Sequence, residues 1–394
     1  MSESAFLEKL LDGAEVEWVP LAEGENRITE LKRGRVMSKG YLVENSGDYP
    51  VYSSQTARNG QIGKIKTFDF DGESITWTTD GANAGTVFHR TGKFSITNVC
   101  GIIRICDVDR LNYRYLFHYL SFNTQKHVYA GMGNPKLMSN QMAKIPIPIP
   151  CPENPEKSLA IQAEIVRILD TFTELTAELT AELTAELTAR KKQYNYYRDQ
   201  LLTFEEGEVE WKTLGEVFQM RAGQHISASK IMDNAGDGHI YPCFGGNGIR
   251  GYVQEKSHEG EYLLIGRQGA LCGNVHRMKG QFYATEHAVV VVPNREINID
   301  WAFHVLTLMN LNKYKSQSAQ PGLAVGKLQG LEIPVPSLTK QARIVAILDK
   351  FDTLTHSISE GLPREIDLRQ KQYEYYRDLL LNFPKSEPQT EIVA

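Results

Sequence analysis

Two segments of this chain are near-copies of each other at one fixed offset. SLAIQAEIVRILDTFTEL at 158–175 matches SLTKQARIVAILDKFDTL at 337–354 in 11 of 18 positions, and RKKQYNYYRDQLLTF at 190–204 matches RQKQYEYYRDLLLNF at 369–383 in 11 of 15, both pairs 179 residues apart. Whatever one copy buries the other must bury as well, so the fold is built from two like halves. The regions outside the copies differ, which gives the order variable, helical, variable, helical.

The first copy reads as one long helix. From Glu156 to Glu206 there is no Gly or Pro, and Ile161, Ile165, Ile168, Leu169, Phe172 and Leu175 keep amphipathic spacing. A helix over 158–204 would be ~70 Å long at ~1.5 Å per residue. Within it Thr-Ala-Glu-Leu occurs three times in succession up to Leu187. Each block adds ~6 Å and turns the helix by ~400°. Leu175, Leu179, Leu183 and Leu187 therefore drift by about 120°, still the width of one apolar face. The second copy carries Gly361 and Pro363, which predict a kink or break. A long helix with an apolar stripe needs a partner, and the other copy is the obvious one, so an antiparallel pair is expected.

The variable regions contain short apolar runs such as ESITWTT, FSITNVCGIIRI, EYLLIG and HAVVVVP between DG, NG and GG turns, with helical stretches YRYLFHYLS and WAFHVLTLM. Each region is bracketed by related markers: EVEWVPL and EVEWKTL at the start, IPxP at 145–148 and 333–336 at the end. FLEKLLDGAEVEW near the start resembles QLLTFEEGEVEW after the first helical copy, so the chain begins where a repeat would have ended. That suggests a closed, pseudo-twofold arrangement. The fold class expected is α+β, with segments 1–150 (including a short repeat segment 1–21), 151–207, 208–336 and 337–394.

Hydrophobic residues make up 41% and charged residues 23% of the 394, an ordinary globular composition. No apolar run approaches the ~20 residues that span a bilayer, and the start lacks the layout of a secretory signal, so a cytoplasmic location and no membrane contact are expected. The five cysteines form no close pairs of the zinc-binding kind. The overall net charge is −5, yet residues 22–150 carry +5 and 215–336 carry +1, leaving the helical segments acidic.

Catalytic motifs are wanting. GNGIRG at 246–251 has the spacing of a dinucleotide loop but is followed by a strand-like run, and GLAVGK at 322–327 is one residue short of a phosphate-binding loop. No amino-methyltransferase motif and no paired-carboxylate or Ser/His/Asp framework stands out. What remains is recognition: glycine loops rich in Arg, Lys, Asn, Gln and Thr suit phosphates and base edges. The candidates for DNA contact are Arg58, Lys64, Lys66, Thr79, Asn83, Arg90, Lys93, Lys136 and Asn140 in the first region. In the second they are Arg221, Arg250, Arg267, Gln268, Asn274, Arg277, Gln320 and Lys327.

Two variable regions ending in IPxP, two QAxIVxILDxF helices with RxKQYxYYRDxLL tails, and tandem TAEL blocks together resemble the DNA specificity subunits of Type I restriction-modification enzymes. The resemblance implies that each variable region is a target recognition domain for one half of a split DNA sequence. It implies an antiparallel, coiled-coil-like helix pair that acts as a ruler and as a dock for two methyltransferase subunits. S-adenosylmethionine would sit on those subunits, and ATP and magnesium on restriction/translocase subunits, leaving this chain without a cofactor and non-catalytic. A block adds ~6 Å against ~3.4 Å per base pair, so length alone allows one or two base pairs per block; the family pattern points to one, and three blocks would set a longer spacer than two, about seven base pairs. Rival readings are a coiled-coil protein-interaction scaffold, a self-sufficient nuclease or methyltransferase, and the recognition module of a differently organised restriction system.

Overall fold

The structure, a computed structural model, describes residues 5–24, 27–129, 133–205, 207–317, 321–357 and 359–384. Contacts gather the chain into two compact units, 1–181 with 367–394, and 182–366. These units cut across the four sequence segments, because each long helical stretch is shared between them.

In the first unit the sequence markers at the two ends of the variable region meet. Val16–Pro20 and Pro146–Pro150 form an antiparallel ribbon in which Val16 faces Pro150 and Trp18 faces Pro148. The flanking bonds, Leu21 N–H to Ile145 O and Cys151 N–H to Glu15 O, put the hydrogen-bonded positions on odd numbers. Pro146, Pro148 and Pro150 therefore fall where no N–H is needed, and Ile147 and Ile149 are fully buried. The second unit repeats the device: Glu210–Thr213 pairs with Glu332–Val335, Lys212 facing Ile333.

Inside this closure the first domain has a four-stranded sheet, in the order Thr29–Arg33, Cys100–Ile105, Ser74–Thr78, Val87–Arg90, and a three-stranded one, Gln61–Ile65, Ser46–Tyr52, Ser95–Ile96. Its centre is Trp77, whose Nε1 donates to Leu137 O at 3.0 Å. Gly101 packs so tightly against that indole that a Cβ would lie 2.0 Å from the ring. The second domain merges the corresponding strands into a six-stranded sheet, in the order Phe218–Ala222, Ala288–Pro293, His258–Gly266, Val275–Ala284, Tyr241–Gly245, Gly248–Val253. GNGIRG lies in the hairpin between the last two strands, so it is not a dinucleotide loop. The helices Tyr113–Asn123 and Ile299–Leu308 stand where expected.

The first helical copy is one helix, Pro155–Leu202, and the second is broken into Leu338–His356 and Leu362–Leu381. Gly361 takes φ +95° at the break, and a Cβ there would approach Thr353 O to 2.5 Å. The copies pair antiparallel within each unit. Thr173 and Phe172 meet Tyr373 and Tyr376 in the first; Tyr194 and Tyr197 meet His356 and Phe351 in the second. Leu7 and Leu11 of the helix Ala5–Leu11 share a core with Leu380, Leu381 and Phe383, and Trp18 Nε1 donates to Pro384 O at 3.2 Å.

The leucine stripe is not uniformly packed. Leu175 and Leu179 are 47% and 39% exposed, whereas Leu183 and Leu187 are half-buried. The expectation of one packed face is corrected here, because a four-residue period rotates each leucine ~40° past the last.

Candidate nucleic-acid interface

Both domains build the same loop from different residues. In the first, Thr78 N–H donates to Thr86 O, Thr79 N–H to Val99 O and Leu137 N–H to Thr79 O; in the second, Gly266 N–H donates to Asn274 O, Arg267 N–H to His287 O and Leu323 N–H to Arg267 O. Residues 77–87 thus correspond to 265–275, with Thr79–Asp80 opposite Arg267–Gln268. The backbone framework is the same and the side chains it carries differ. Close approach enforces the geometry: a Cβ on Gly266 would fall 1.8 Å from Gly246 O.

Next to this loop in the first domain lies a second one, 53–60. Asn83 Nδ2 donates to Ser54 O at 3.1 Å, which holds the two together, and the backbone of Asp80 forms an antiparallel β-bridge with that of Lys136 on the returning strap. At the tip Arg58, Asn59 and Gly60 take φ values of 52°, 53° and 84° in succession, left-handed conformations that cost energy for the two non-glycine residues. Arg90 underpins the tip: its Nη2 donates to Asn59 O at 2.6 Å, its Nε donates to Thr76 Oγ1, and its guanidinium stacks 3.6 Å from the Tyr52 ring centroid. Burial lowers the Arg90 pKa, the ring and thiol around it opposing. Arg58 itself is exposed.

In the second domain Gly246, Arg267, Gln268, His287 and Ser316 line one cleft. Asn274 Nδ2 donates to Asn247 Oδ1 at 2.6 Å across its neighbourhood. Polar capacity is left unspent in both loops. Thr79 Oγ1, Asp80 Oδ1, Arg267 Nε and His287 Nδ1 are buried with no hydrogen-bond partner among the described residues.

The candidates therefore sort by position. Arg58, Asn83, Lys136 and the backbone of Thr79 are brought together, as are Arg267, Gln268 and Asn274. Lys64, Lys66, Lys93, Asn140, Arg221, Arg250 and Lys327 are exposed elsewhere, Lys93 with its Nζ 4.7 Å from the Phe68 ring. Gln320 lies outside the described residues. Three choices are corrected. Thr79 is fully buried; Arg90 is a support beneath the Arg58 tip; and Arg277 is spent on carboxylates, Nη1 donating to Asp300 and Asp349 at 2.9 and 2.8 Å and Nη2 to Asp352 at 3.0 Å.

Arg277 leads to residues that sequence reasoning passed over. Gln162 Oε1 accepts from Asn112 N–H, and Gln341 Oε1 accepts from Asn298 N–H, both at 2.9 Å. Asn112 and Asn298 in turn cap the domain helices Tyr113–Asn123 and Ile299–Leu308. One turn or two along, His118 Nε2 lies 2.7 Å from Asp170 Oδ1 and His304 Nε2 lies 2.9 Å from Asp349 Oδ1. Arg114 also pairs with Asp170. Burial lowers the pKa of both histidines while their aspartates oppose it. The signal was present: Gln and Asp are identical in both copies at positions inside an apolar stripe.

Comparison with known proteins agrees with this geometry. The family described as Type I restriction modification DNA specificity domain matches residues 26–189 and 206–368. The specificity subunit of the Type I restriction enzyme EcoprrI from Escherichia coli is 54% identical over 385 residues, covering 91% of this chain and 93% of that one. The EcoR124I/EcoR124II specificity subunit, also from Escherichia coli, is 39% identical over 419 residues, covering 98% and 99%. Among solved structures, a chain from a study of complex assembly and conformational transition in the type I R-M system superposes with a TM-score of 0.63 at 16% identity, covering 93% of this chain and 96% of that one. The Type-I restriction-modification S subunit from M. genitalium gives 0.53 at 17%, covering 95% and 98%. With two matched domains, two copies of one loop framework and relatives aligned over nearly their whole length, the chain belongs to the family of Type I restriction-modification DNA specificity subunits.

Proposed function

We propose that each unit reads one half of a bipartite, asymmetric DNA sequence, and that the helices set an unread spacer of about seven base pairs between the halves. The observation that carries this reading is the pair of equivalent loops, 77–87 and 265–275, with one backbone framework and different unsatisfied side chains. A base edge meets Arg267 in the cleft that it lines with Gln268, while the buried Thr79 shapes the loop from beneath. Arg58, Asn83 and Lys136 serve the first half-site, Arg267, Gln268 and Asn274 the second. Lys64, Lys66, Lys93, Asn140, Arg221, Arg250 and Lys327 supply phosphate contacts, which position the protein without reading sequence.

In this reading the chain is a non-catalytic subunit acting in the cytoplasm. Two methyltransferase subunits dock on its helices and carry S-adenosylmethionine; restriction/translocase subunits carry ATP and magnesium. No helix among the described residues is long and apolar enough to cross a membrane. The test is co-expression with a compatible methyltransferase subunit in a methylation-free host, followed by genome-wide mapping of methylated adenines by single-molecule sequencing. A bipartite motif with one modified adenine per strand and one fixed gap is expected. Absence of new methylation despite a soluble complex overturns the reading in favour of a protein scaffold.

A further inference from the structure

The polar residues shared by the two helical copies are spent on the recognition domains. Gln162 and Gln341 are fully buried and hold the N-termini of the domain helices through Asn112 and Asn298. Asp170 and Asp349 hold the same helices through His118 and His304. Each domain helix is therefore gripped at two points, against one stretch of the paired long helices in its own unit. Two points fix an angle where one would leave a swivel.

The source of the cation at this grip differs. The offset that carries His118 onto His304 carries Arg114 onto Asp300, while the loop offset carries His89 onto Arg277. In the first unit the arginine stands on the domain helix, and the ion pair Arg114–Asp170 binds helix to helix. In the second it stands on the strand Val275–Ala284, three residues from Asn274, and joins Asp300, Asp349 and Asp352. There the recognition sheet itself is tied to the long helix.

We propose that Asp170 and Asp349 are positioning residues that fix the tilt of each recognition domain on its helix, and so set the spacer jointly with helix length. The proposal rests on the bipartite reading above. The leverage is large: for a loop ~26 Å away, about twice the radius of gyration of such a domain, a tilt of about 8° displaces it by ~3.4 Å, one base-pair step. Asp349 has the greater effect, because Arg277 transmits its hold directly to the sheet.

The experiment replaces Asp170→Asn and Asp349→Asn separately in the full chain, co-expressed with the methyltransferase subunit, and reads gap lengths from the adenine methylome. The expected result is unchanged half-sites with a new class of methylated sites whose gap differs by about one base pair, larger for Asp349→Asn. If Asp349→Asn does not assemble, Arg277→Lys, which keeps the charge but not the fork to three carboxylates, decides the matter by the same readout. A single wild-type gap at wild-type methylation levels overturns the proposal, and so does a change in half-site bases, which would make these residues readers. Failure of the unsubstituted chain to give a bipartite motif is seen before any variant is compared, and removes the functional reading with it.

Discussion

The ring of Phe172 lies flat on that of Tyr376, centroids 5.2 Å apart and planes 7° from parallel. Shifted by the repeat offset, the same two positions are Phe351 and Tyr197, whose rings stack at 5.5 Å and 24°. Each stack takes one ring from each copy, so neither copy completes its packing without the other.

Removing one ring of a stack strips the other of its packing partner. Phe172→Ala and Tyr376→Ala, singly and combined, are expected to show a coupling of about 0.5–1.5 kcal/mol in a double-mutant cycle by urea denaturation. Additive effects would mean the rings are neighbours without interaction.

Acid should weaken the grip of the domain helices. His118 and His304 have pKa values lowered by burial, against the pull of Asp170 and Asp349. The unfolded chain then binds protons more readily than the folded one. The stability these groups contribute is complete above the ordinary histidine value of ~6.5 and is lost as pH falls through their lowered folded values. Urea midpoints should drop between pH 7.5 and 5.5, and less steeply in His118→Gln/His304→Gln; equal slopes would place the titration elsewhere.

Base reading and phosphate contact separate by salt. In the assembled methyltransferase complex, Arg267→Ala should cost about 1–3 kcal/mol and relax only the second half-site. Lys66→Ala should weaken binding to all sequences and reduce the salt slope by about 0.9. Fluorescence anisotropy at several salt concentrations distinguishes them, and a salt-slope change alone for Arg267→Ala would demote it to a phosphate contact.

Deleting Thr184–Leu187 removes one block and ~6 Å of helix. The spacer should shorten by about one base pair with both half-sites intact, read from the methylome. A changed half-site would exclude the ruler.

Gly101→Ala drives a methyl into the Trp77 ring. Overpacking of about 3 kcal/mol or more is expected in the first domain, seen as a lowered unfolding midpoint. A neutral result would mean that strand Cys100–Ile105 shifts freely, contrary to its pairing on both sides.

The helices and their pairing were legible because repetition and periodicity are local to the sequence: Gly361 announced the break, whereas EVEW and IPxP showed only where each region starts and ends, not that the two pair as a ribbon. The interface was only partly legible. Arg58, Arg90 and Arg277 sit in similar company in the sequence, and whether a guanidinium faces solvent, Tyr52 or three aspartates depends on which distant strands come together. Asp170 and Asp349 were legible as repeated residues but not as grips, since their partners His118 and His304 lie in regions that scarcely repeat.

The antiparallel ribbons have one more consequence. Val16 opposite Pro150, and Glu210 opposite Val335, mean that each recognition domain leaves the scaffold beside the point where it enters. A domain attached this way is an insert whose two ends share one socket. Around the residues that grip the helices, its interior can change length, strand count or loop chemistry, as the split sheets of one domain and the fused sheet of the other already illustrate. Exchange of the stretch between the paired strands, with the gripping Asn and His kept, therefore replaces one word of the DNA address while leaving the punctuation in place.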